Sequence, residues 1–389
     1  MIGVGEDGRD GMAPASQAAL DAAEIVMGPP RHLALVGDVQ ARTIEWPVPF
    51  ADGLPMLMEL RGQQVVVLVS GDPFWFGAGT TITGQLSEGE WLAMPGASTF
   101  SLAATRLGWP LETTLCQGLH AKPFTWLRQH LSPGERMIVL LRDGEAPAAL
   151  AQYLTQLGFG DSQMHVLERL GGSHEKRTDV TASACLDTFA TPLCAAISIA
   201  GDGEALSKVA GLPDETFGND GQITKRPVRA ITLSTLAPKA GEHLWDIGAG
   251  SGSIALEWLL AHPSTTATAI EANEARAKRI TTNACALGVE SRLNVIEGAA
   301  PNALAGLGTP NAVFIGGGVS QALLEVLGAQ NGVRVVANVV TLEGEALLAQ
   351  WHKTRGGDLM RIALAHSNPL GAKRGWQASY PVVQWSVTL

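Results

Sequence analysis

From residue 225 onward, short apolar runs alternate with segments whose apolar positions recur at helical spacing. Lys225–Leu236 sets Val228, Ile231 and Leu233 on one side of a helix. Strands are predicted at His243–Ile247, Thr266–Glu271, Arg292–Glu297, Asn311–Ile315 and Val333–Val339, with helix-like segments between them. Leu359–Ala365 and Val382–Val387 complete seven strands. Such alternation builds a mostly parallel sheet covered on both faces, a Rossmann-like α/β domain. The last two strands leave no room for a full crossover helix, so an antiparallel hairpin is expected at the end.

The earlier residues read as a separate α/β unit of two lobes. Ala15–Val26 is predicted as a helix, Val65–Val69 as a buried strand and Phe100–Leu107 as a helix. A second lobe begins near residue 116, on strands Met137–Leu141, Met164–Glu168 and Ala195–Ala200. Residues 206–220 are polar and glycine-rich and are read as the joint. The predicted organisation is a first unit over 1–205, this linker, and a second unit over 221–389. Only Met1 and Ile2 precede the turn at Gly3, so the first strand is expected to be largely missing. Neighbouring backbone groups would then be left unpaired.

Composition narrows the function. A chain of 389 residues exceeds one ordinary domain, and no apolar run reaches the length of a membrane span. The first residues lack the basic flank and apolar core of a signal peptide, which points to a cytoplasmic protein. With 37 acids against 27 bases the net charge is −10, which does not steer a protein to nucleic acid. A local basic pocket for a small anion remains compatible with that charge. Cys116, Cys185, Cys194 and Cys285 form no Cys-x-x-Cys pair and have no His at ligand spacing, so reduced thiols and no metal are expected.

The most specific chemistry is the run Asp246-Ile-Gly-Ala-Gly-Ser-Gly252 after a strand, with Glu271 closing the next strand. Gly248, Gly250 and Gly252, with Ala249 and Ser251 between them, permit a tight turn pressed against a ligand. Glu271 can accept both hydroxyls of a ribose diol. The third glycine comes one residue too early for a dinucleotide fingerprint. Asp246, at the mouth of the turn, would repel a pyrophosphate and suit a cationic sulfonium. The cofactor read from this is S-adenosylmethionine.

Further motifs extend the pattern to both halves. Gly221-Gln-Ile-Thr-Lys225, the Trp245–Gly252 turn and Glu297-Gly-Ala-Ala-Pro301 resemble the class I methyltransferases that act on corrin precursors, as do Phe314-Ile-Gly-Gly-Gly318 and Asn338–Gly344. Gly3–Gly8, Gly28-Pro-Pro-Arg-His32, Ser70-Gly-Asp-Pro-Phe-Trp-Phe-Gly77, Pro95–Phe100 and Glu168-Arg-Leu-Gly-Gly172 resemble the tetrapyrrole methylases, which have a different fold and their own cofactor site. In this order the two halves resemble the fused precorrin-6B C5,15-methyltransferase (decarboxylating) family of vitamin B12 biosynthesis.

That resemblance implies two methyl transfers from S-adenosylmethionine, at C5 and C15 of a small-molecule tetrapyrrole, and loss of carbon dioxide from the ring-C acetate. It places the cofactor of the first unit on Ser70, Gly71, Asp72, Trp75, Ser98 and Thr99. In the second unit it adds Thr224, Gly298 and Ala299 to the glycine turn and Glu271, although many relatives carry an acid where Ala299 stands. Arg31, His32, His120, Lys122, Lys225, Arg226 and Arg229 become candidate contacts for substrate carboxylates. Asn338 and Glu343 fall where the acceptor pocket ends, and Glu343 is a candidate proton donor for the decarboxylation. The catalytic acid is otherwise unassigned. Tetrapyrrole methylases generally pair, so a homo-oligomer is expected. Two rival readings stand beside this one: a nucleic-acid amino-group methyltransferase, and an enzyme whose first unit only binds corrinoid or assists assembly while the second does the chemistry.

Overall fold

The structure, a computed structural model, describes residues 1–389. The chain divides into two compact units, one of Met1–Phe124 with Leu131–Glu204, the other of Thr125–His130 with Ala205–Leu389.

The first unit holds two sheets. Strands β1 (Ile2–Val4), β2 (Ile25–Gly28), β3 (Arg42–Glu45) and β4 (Val65–Ser70) form a parallel sheet in the order β1-β4-β2-β3. Strands β5 (Leu115–Gly118), β6 (Arg136–Leu140), β7 (Gln163–Glu168), β8 (Lys176–Thr181) and β9 (Leu193–Ser198) form the second, in the order β5-β6-β9-β7-β8. Two expectations fail here. The helix predicted over Ala15–Val26 ends at Asp21, and Ile25–Met27 instead run buried through the middle of the first sheet. A β-branched, fully apolar run suits a strand covered on both faces better than one side of a helix. The first strand is short but present. Ile2–Val4 pairs with Leu68–Ser70 on one side, and on the other Gly3 N–H donates to the Met94 carbonyl at 2.9 Å, so its backbone is satisfied.

In the second unit, β10 (His243–Ile247), β11 (Thr266–Glu271), β12 (Leu293–Glu297), β13 (Ala312–Ile315), β14 (Arg334–Val339), β15 (Asp358–Ile362) and β18 (Val382–Thr388) make one seven-stranded sheet. Its order is β12-β11-β10-β13-β14-β18-β15, parallel except where β18 runs antiparallel to β14 and β15. Apolar clusters cover both faces, around Trp258 and Phe314 on one side and Trp245, Trp351 and Trp385 on the other. Strand order reverses between β10 and β13, and a crevice opens outside the carboxyl ends of strands at such a point. The predicted Leu359–Ala365 strand stops at Ile362, and a separate ribbon of β16 (Ala365–Leu370) and β17 (Lys373–Ala378) follows. Residues 206–220 are not a free joint, since Leu212 and Phe217 are buried in the core of this unit.

Candidate functional site

In the first unit, three glycine segments meet backbone to backbone. A Cβ on Gly3 would lie 1.7 Å from the Gly71 carbonyl oxygen and 2.4 Å from the Gly96 nitrogen, so no side chain fits there. The contact brings the ends of β1 and β4 beside the helix Thr99–Leu107, and a cavity of about 430 Å³ opens against them. Ser70, Gly71, Asp72, Trp75, Ser98 and Thr99 all line it, with Arg31 and His120. Some side chains have structural duties as well. Asp72 Oδ1 accepts the Phe74 N–H at 2.8 Å, and Ser98 Oγ caps the helix by accepting the Ser101 N–H at 3.0 Å.

The expected carboxylate contacts divide. Arg31 is held by Glu6 and by His32 Nε2, and His32 is buried, its pKa lowered to about 4 by burial and the Arg31 charge. His32 is thus neutral, and it orients Arg31 without itself facing the cavity. His120 is held below its ordinary pKa by burial and by Lys122, which is not part of the wall.

The second unit holds the larger cavity, about 960 Å³, at the strand-order reversal. Gly248, Ala249 and Gly250 form its floor. Gly248 has φ of +69° and a Cβ there would lie 2.8 Å from the Gly317 nitrogen, which locks the turns after β10 and β13 together. The turn's amides are already used: Gly248 and Ala249 both donate to the Ile270 carbonyl, at 2.9 and 3.1 Å. What the glycines offer a ligand is close approach rather than free N–H groups.

Glu271 Oε2 accepts from Gly250 N–H at 2.8 Å and Oε1 from Asn273 N–H at 2.9 Å. A carboxylate has about four acceptor positions, so two remain for a vicinal diol on the cavity side. Thr224, Gly298 and Ala299 also line the cavity, with Lys225, Arg226 and Asn338. The Glu271 carboxylate fits the ribose diol of the expected cofactor, and the glycine turn allows the ligand's close approach.

Several predicted positions fall elsewhere. Ser251 and Gly252 sit beneath the turn, outside the lining. Glu343 is exposed on the first turn of the helix Leu342–Arg355, where the helix dipole favours an acid. Asp246 is buried and points away from the cavity, with Oδ2 accepting the Ala255 N–H of the next helix at 3.0 Å. Successive strand residues face opposite sides, so adjacency to the turn did not mean contact with the ligand.

Burial, joined by the nearby Glu271 charge, pushes the Asp246 carboxyl up to about 7 from an ordinary 3.8. The folded protein therefore keeps this proton to higher pH than the unfolded chain. The group's contribution to stability is most favourable below pH 3.8 and worsens as pH climbs toward 7. Asp246→Asn keeps an acceptor for Ala255 and never ionises. It is expected to stabilise the second unit at pH 8 by on the order of a few kcal/mol and to match the parent near pH 4. Urea midpoints at the two pH values check this, and no gain at pH 8 would refute it.

Of the basic residues at the helix start, Arg229 is no rim contact. It is fully buried in a pair with Glu257 at 2.6 Å and Asp214 at 3.0 Å. Lys225 lies 3.6 Å from Asp214, while Arg226 lines the cavity with no ion pair. Sequence reasoning missed Arg276, His366, Ser379 and Tyr380, all on the wall.

Residues 1–185 match the family described as Tetrapyrrole (Corrin/Porphyrin) Methylases, and residues 215–389 the Precorrin methyltransferase domain. The precorrin-6Y C(5,15)-methyltransferase [decarboxylating] of a Sinorhizobium species is 44% identical over 397 residues, covering 100% of this chain and 95% of that protein. The enzyme of that name from Mycobacterium tuberculosis is 40% identical, covering 100% of this chain and 99% of the relative. The chain belongs to the precorrin-6Y C(5,15)-methyltransferase (decarboxylating) family. Members of this family are methyltransferases, and the chain is one. Among solved structures, the C-terminal domain of precorrin-6Y C5,15-methyltransferase from Rhodobacter capsulatus is 50% identical over 47% of this chain and 100% of its own, with a TM-score of 0.46. No helix is long and apolar enough to cross a membrane, and no group of His, Cys, Asp and Glu is placed to hold a metal ion.

Proposed function

We propose that the protein uses S-adenosylmethionine to methylate precorrin-6B at C5 and C15 and to remove the ring-C acetate carboxyl, giving precorrin-8X in cobalamin biosynthesis. The observation that carries this reading is that one chain holds two cradles of unlike fold, each floored by glycines that admit no side chain. The first unit is assigned C5, the second C15 and the decarboxylation. A relative matching 44% of this chain is named cobalt-precorrin-6B C(15)-methyltransferase (decarboxylating), which supports giving those two steps to one unit.

The bound sulfonium supplies an activated methyl group, and the macrocycle supplies electron-rich carbon. The chain's own task is then orientation. Glu271 fixes the ribose, the Gly248–Gly250 turn sets the depth of the cofactor, and the bases at the rim seat the macrocycle's carboxylates. Holding nucleophile and methyl in line is worth up to roughly 7–11 kcal/mol, so no dedicated base is required for the transfer itself. Arg226, unpaired at the wall, suits a carboxylate through a bidentate pair.

Mass spectrometry of precorrin-6B incubated with the protein and S-adenosylmethionine tests the proposal. Two added methyl groups and one lost carbon dioxide are expected. A product with one methyl and one lost carbon dioxide would leave the second unit as the only catalyst, and an unchanged macrocycle would end the reading.

A further inference from the structure

One wall of the second unit's cavity ends in a closed network of amides and hydroxyls. Asn338, on β14, lines the cavity and stands opposite Gln384 of β18. Gln384 is buried, and its Nε2 donates to Asn338 Oδ1 at 2.9 Å and to Thr232 Oγ1 at 3.1 Å. Asn338 Nδ2 donates to the same hydroxyl at 2.8 Å, and that hydroxyl donates to the Val228 carbonyl, also at 2.8 Å. Thr235 Oγ1 completes the set by donating to Gln384 Oε1 at 3.0 Å. With both Gln384 amide hydrogens and the Thr232 hydroxyl engaged, turning the Asn338 amide over would set N–H against N–H and oxygen against oxygen. The amide is therefore fixed, and one of its two Nδ2 hydrogens is left over.

The side chains ranged beside it are apolar. Val382, two residues before Gln384 and on the same face of β18, stands opposite Ile362 of β15, and both line the cavity with Val228 and Val340. After β13 the wall is Gly316-Gly-Gly318, which brings no side chain. The basic wall residues Lys225 and Arg226 lie at the start of the helix Arg226–Leu236, about 9–10 Å before Thr232 along its axis. Arg229 is nearer but is engaged by Glu257 and Asp214. A neutral donor among apolar side chains is thus set apart from those two cations.

We propose that Asn338 holds, as a neutral hydrogen-bond donor, the acetate carboxylate lost in the decarboxylation, with Gln384 and Thr232 as its positioning residues. The inference deepens the reading that the second unit decarboxylates a tetrapyrrole, and rests on it. In the step, the bond between the acetate methylene and its carboxyl carbon breaks and carbon dioxide departs. The electron pair of that bond passes into the conjugated macrocycle, and a proton from water then converts the methylene into a methyl group. Negative charge is concentrated on two oxygens at the start and spread over the ring at the transition state. A lysine or arginine at the carboxylate would stabilise the start more than the transition state and slow the loss. An amide N–H orients the group with less ground-state stabilisation, and apolar neighbours disfavour the concentrated charge. Arg226 suits a carboxylate that is retained, Asn338 the one that leaves.

The test follows carbon dioxide released from precorrin-6B by the full chain with S-adenosylmethionine, together with the carbon isotope effect at the carboxyl group. Asn338→Ala should release carbon dioxide roughly ten- to a hundredfold more slowly, the effect of losing a hydrogen bond to a charged group. Its isotope effect should be at least as large as the parent's, because cleavage of the C–C bond is then the slow step. Gln384→Met keeps the shape and loses both donors, and should show the same isotope effect with a smaller fall in rate. Asn338→Lys separates a neutral donor from a mere carboxylate anchor: its KM should equal or undercut the parent's while release slows at least as much as in Asn338→Ala. Affinity for S-adenosylhomocysteine should stay near the parent's in all three, which also shows that they fold. Unchanged release in Asn338→Ala overturns the proposal, as does a fall in rate with a diminished isotope effect or a lost S-adenosylhomocysteine affinity, since the network would then only hold the site's shape. A lysine variant that decarboxylates as fast as the parent overturns it too. If the parent binds S-adenosylhomocysteine but releases no carbon dioxide, the functional reading fails first and this inference falls with it; a working parent with variants that match it sinks the inference alone.

Discussion

Replacing Arg229 with alanine is expected to destabilise the second unit by about 3–5 kcal/mol, a fall in its melting temperature on the order of 10 °C. The guanidinium is fully buried and every side of it is engaged. Nε binds Glu257 Oε1 at 2.6 Å, one terminal nitrogen binds Asp214 Oδ1 at 3.0 Å, the other donates to the Leu212 carbonyl, and Phe217 stacks at 4.8 Å. Glu257 in turn accepts the N–H groups of Gly211 and Leu212, at 2.6 and 3.0 Å. Removing the arginine leaves a buried carboxylate with no counter-charge, and that loss exceeds what the intact pair contributes. The double variant Arg229→Met, Glu257→Met should therefore be less damaged than Arg229→Ala, which a double-mutant cycle by calorimetry would read. A single variant melting within a degree or two of the parent would refute the account. Because this network pins residues 211–226, which carry Thr224, Lys225 and Arg226 to the cavity, cofactor affinity should fall along with stability.

The same residue shows where sequence reading stops. Helical spacing put a helix over Lys225–Leu236, which the structure starts at Arg226, but periodicity cannot tell that Leu212–Phe217 folds back over its polar side and buries Arg229. Asp246 is a parallel case, read as a ligand contact because it adjoins the turn, whereas strand alternation sends it under the sheet to cap a helix. The parallel strands were legible because both faces are buried, so each reads as a near-continuous apolar run bounded by turn residues. Ile25–Met27 escaped because it follows a genuine helix after only three residues, Ala22–Glu24. The ribbon escaped because it has no buried face to impose alternation.

Two glycine substitutions are expected to separate the two sites. Gly248→Val forces a β-branched residue to φ of +69° and sets its Cβ 2.8 Å from the Gly317 nitrogen. Gly3→Val drives a Cβ to 1.7 Å from the Gly71 oxygen, and no rotamer relieves a clash made by the Cβ itself. Strain on the order of 3 kcal/mol at a binding turn weakens the ligand more than a hundredfold. Calorimetry with S-adenosylhomocysteine should thus count two sites in the parent and one in each variant, the first unit's site surviving in Gly248→Val and the second unit's in Gly3→Val. With precorrin-6B, Gly248→Val should never yield a decarboxylated product, and Gly3→Val should never yield one methylated at C5. Mixing the two proteins should restore both methyl groups, since each contributes the site the other lacks and the macrocycle can pass between them through solution. A Gly248→Val protein that still decarboxylates, or a parent that counts one site, would show that the two cradles are not two working sites.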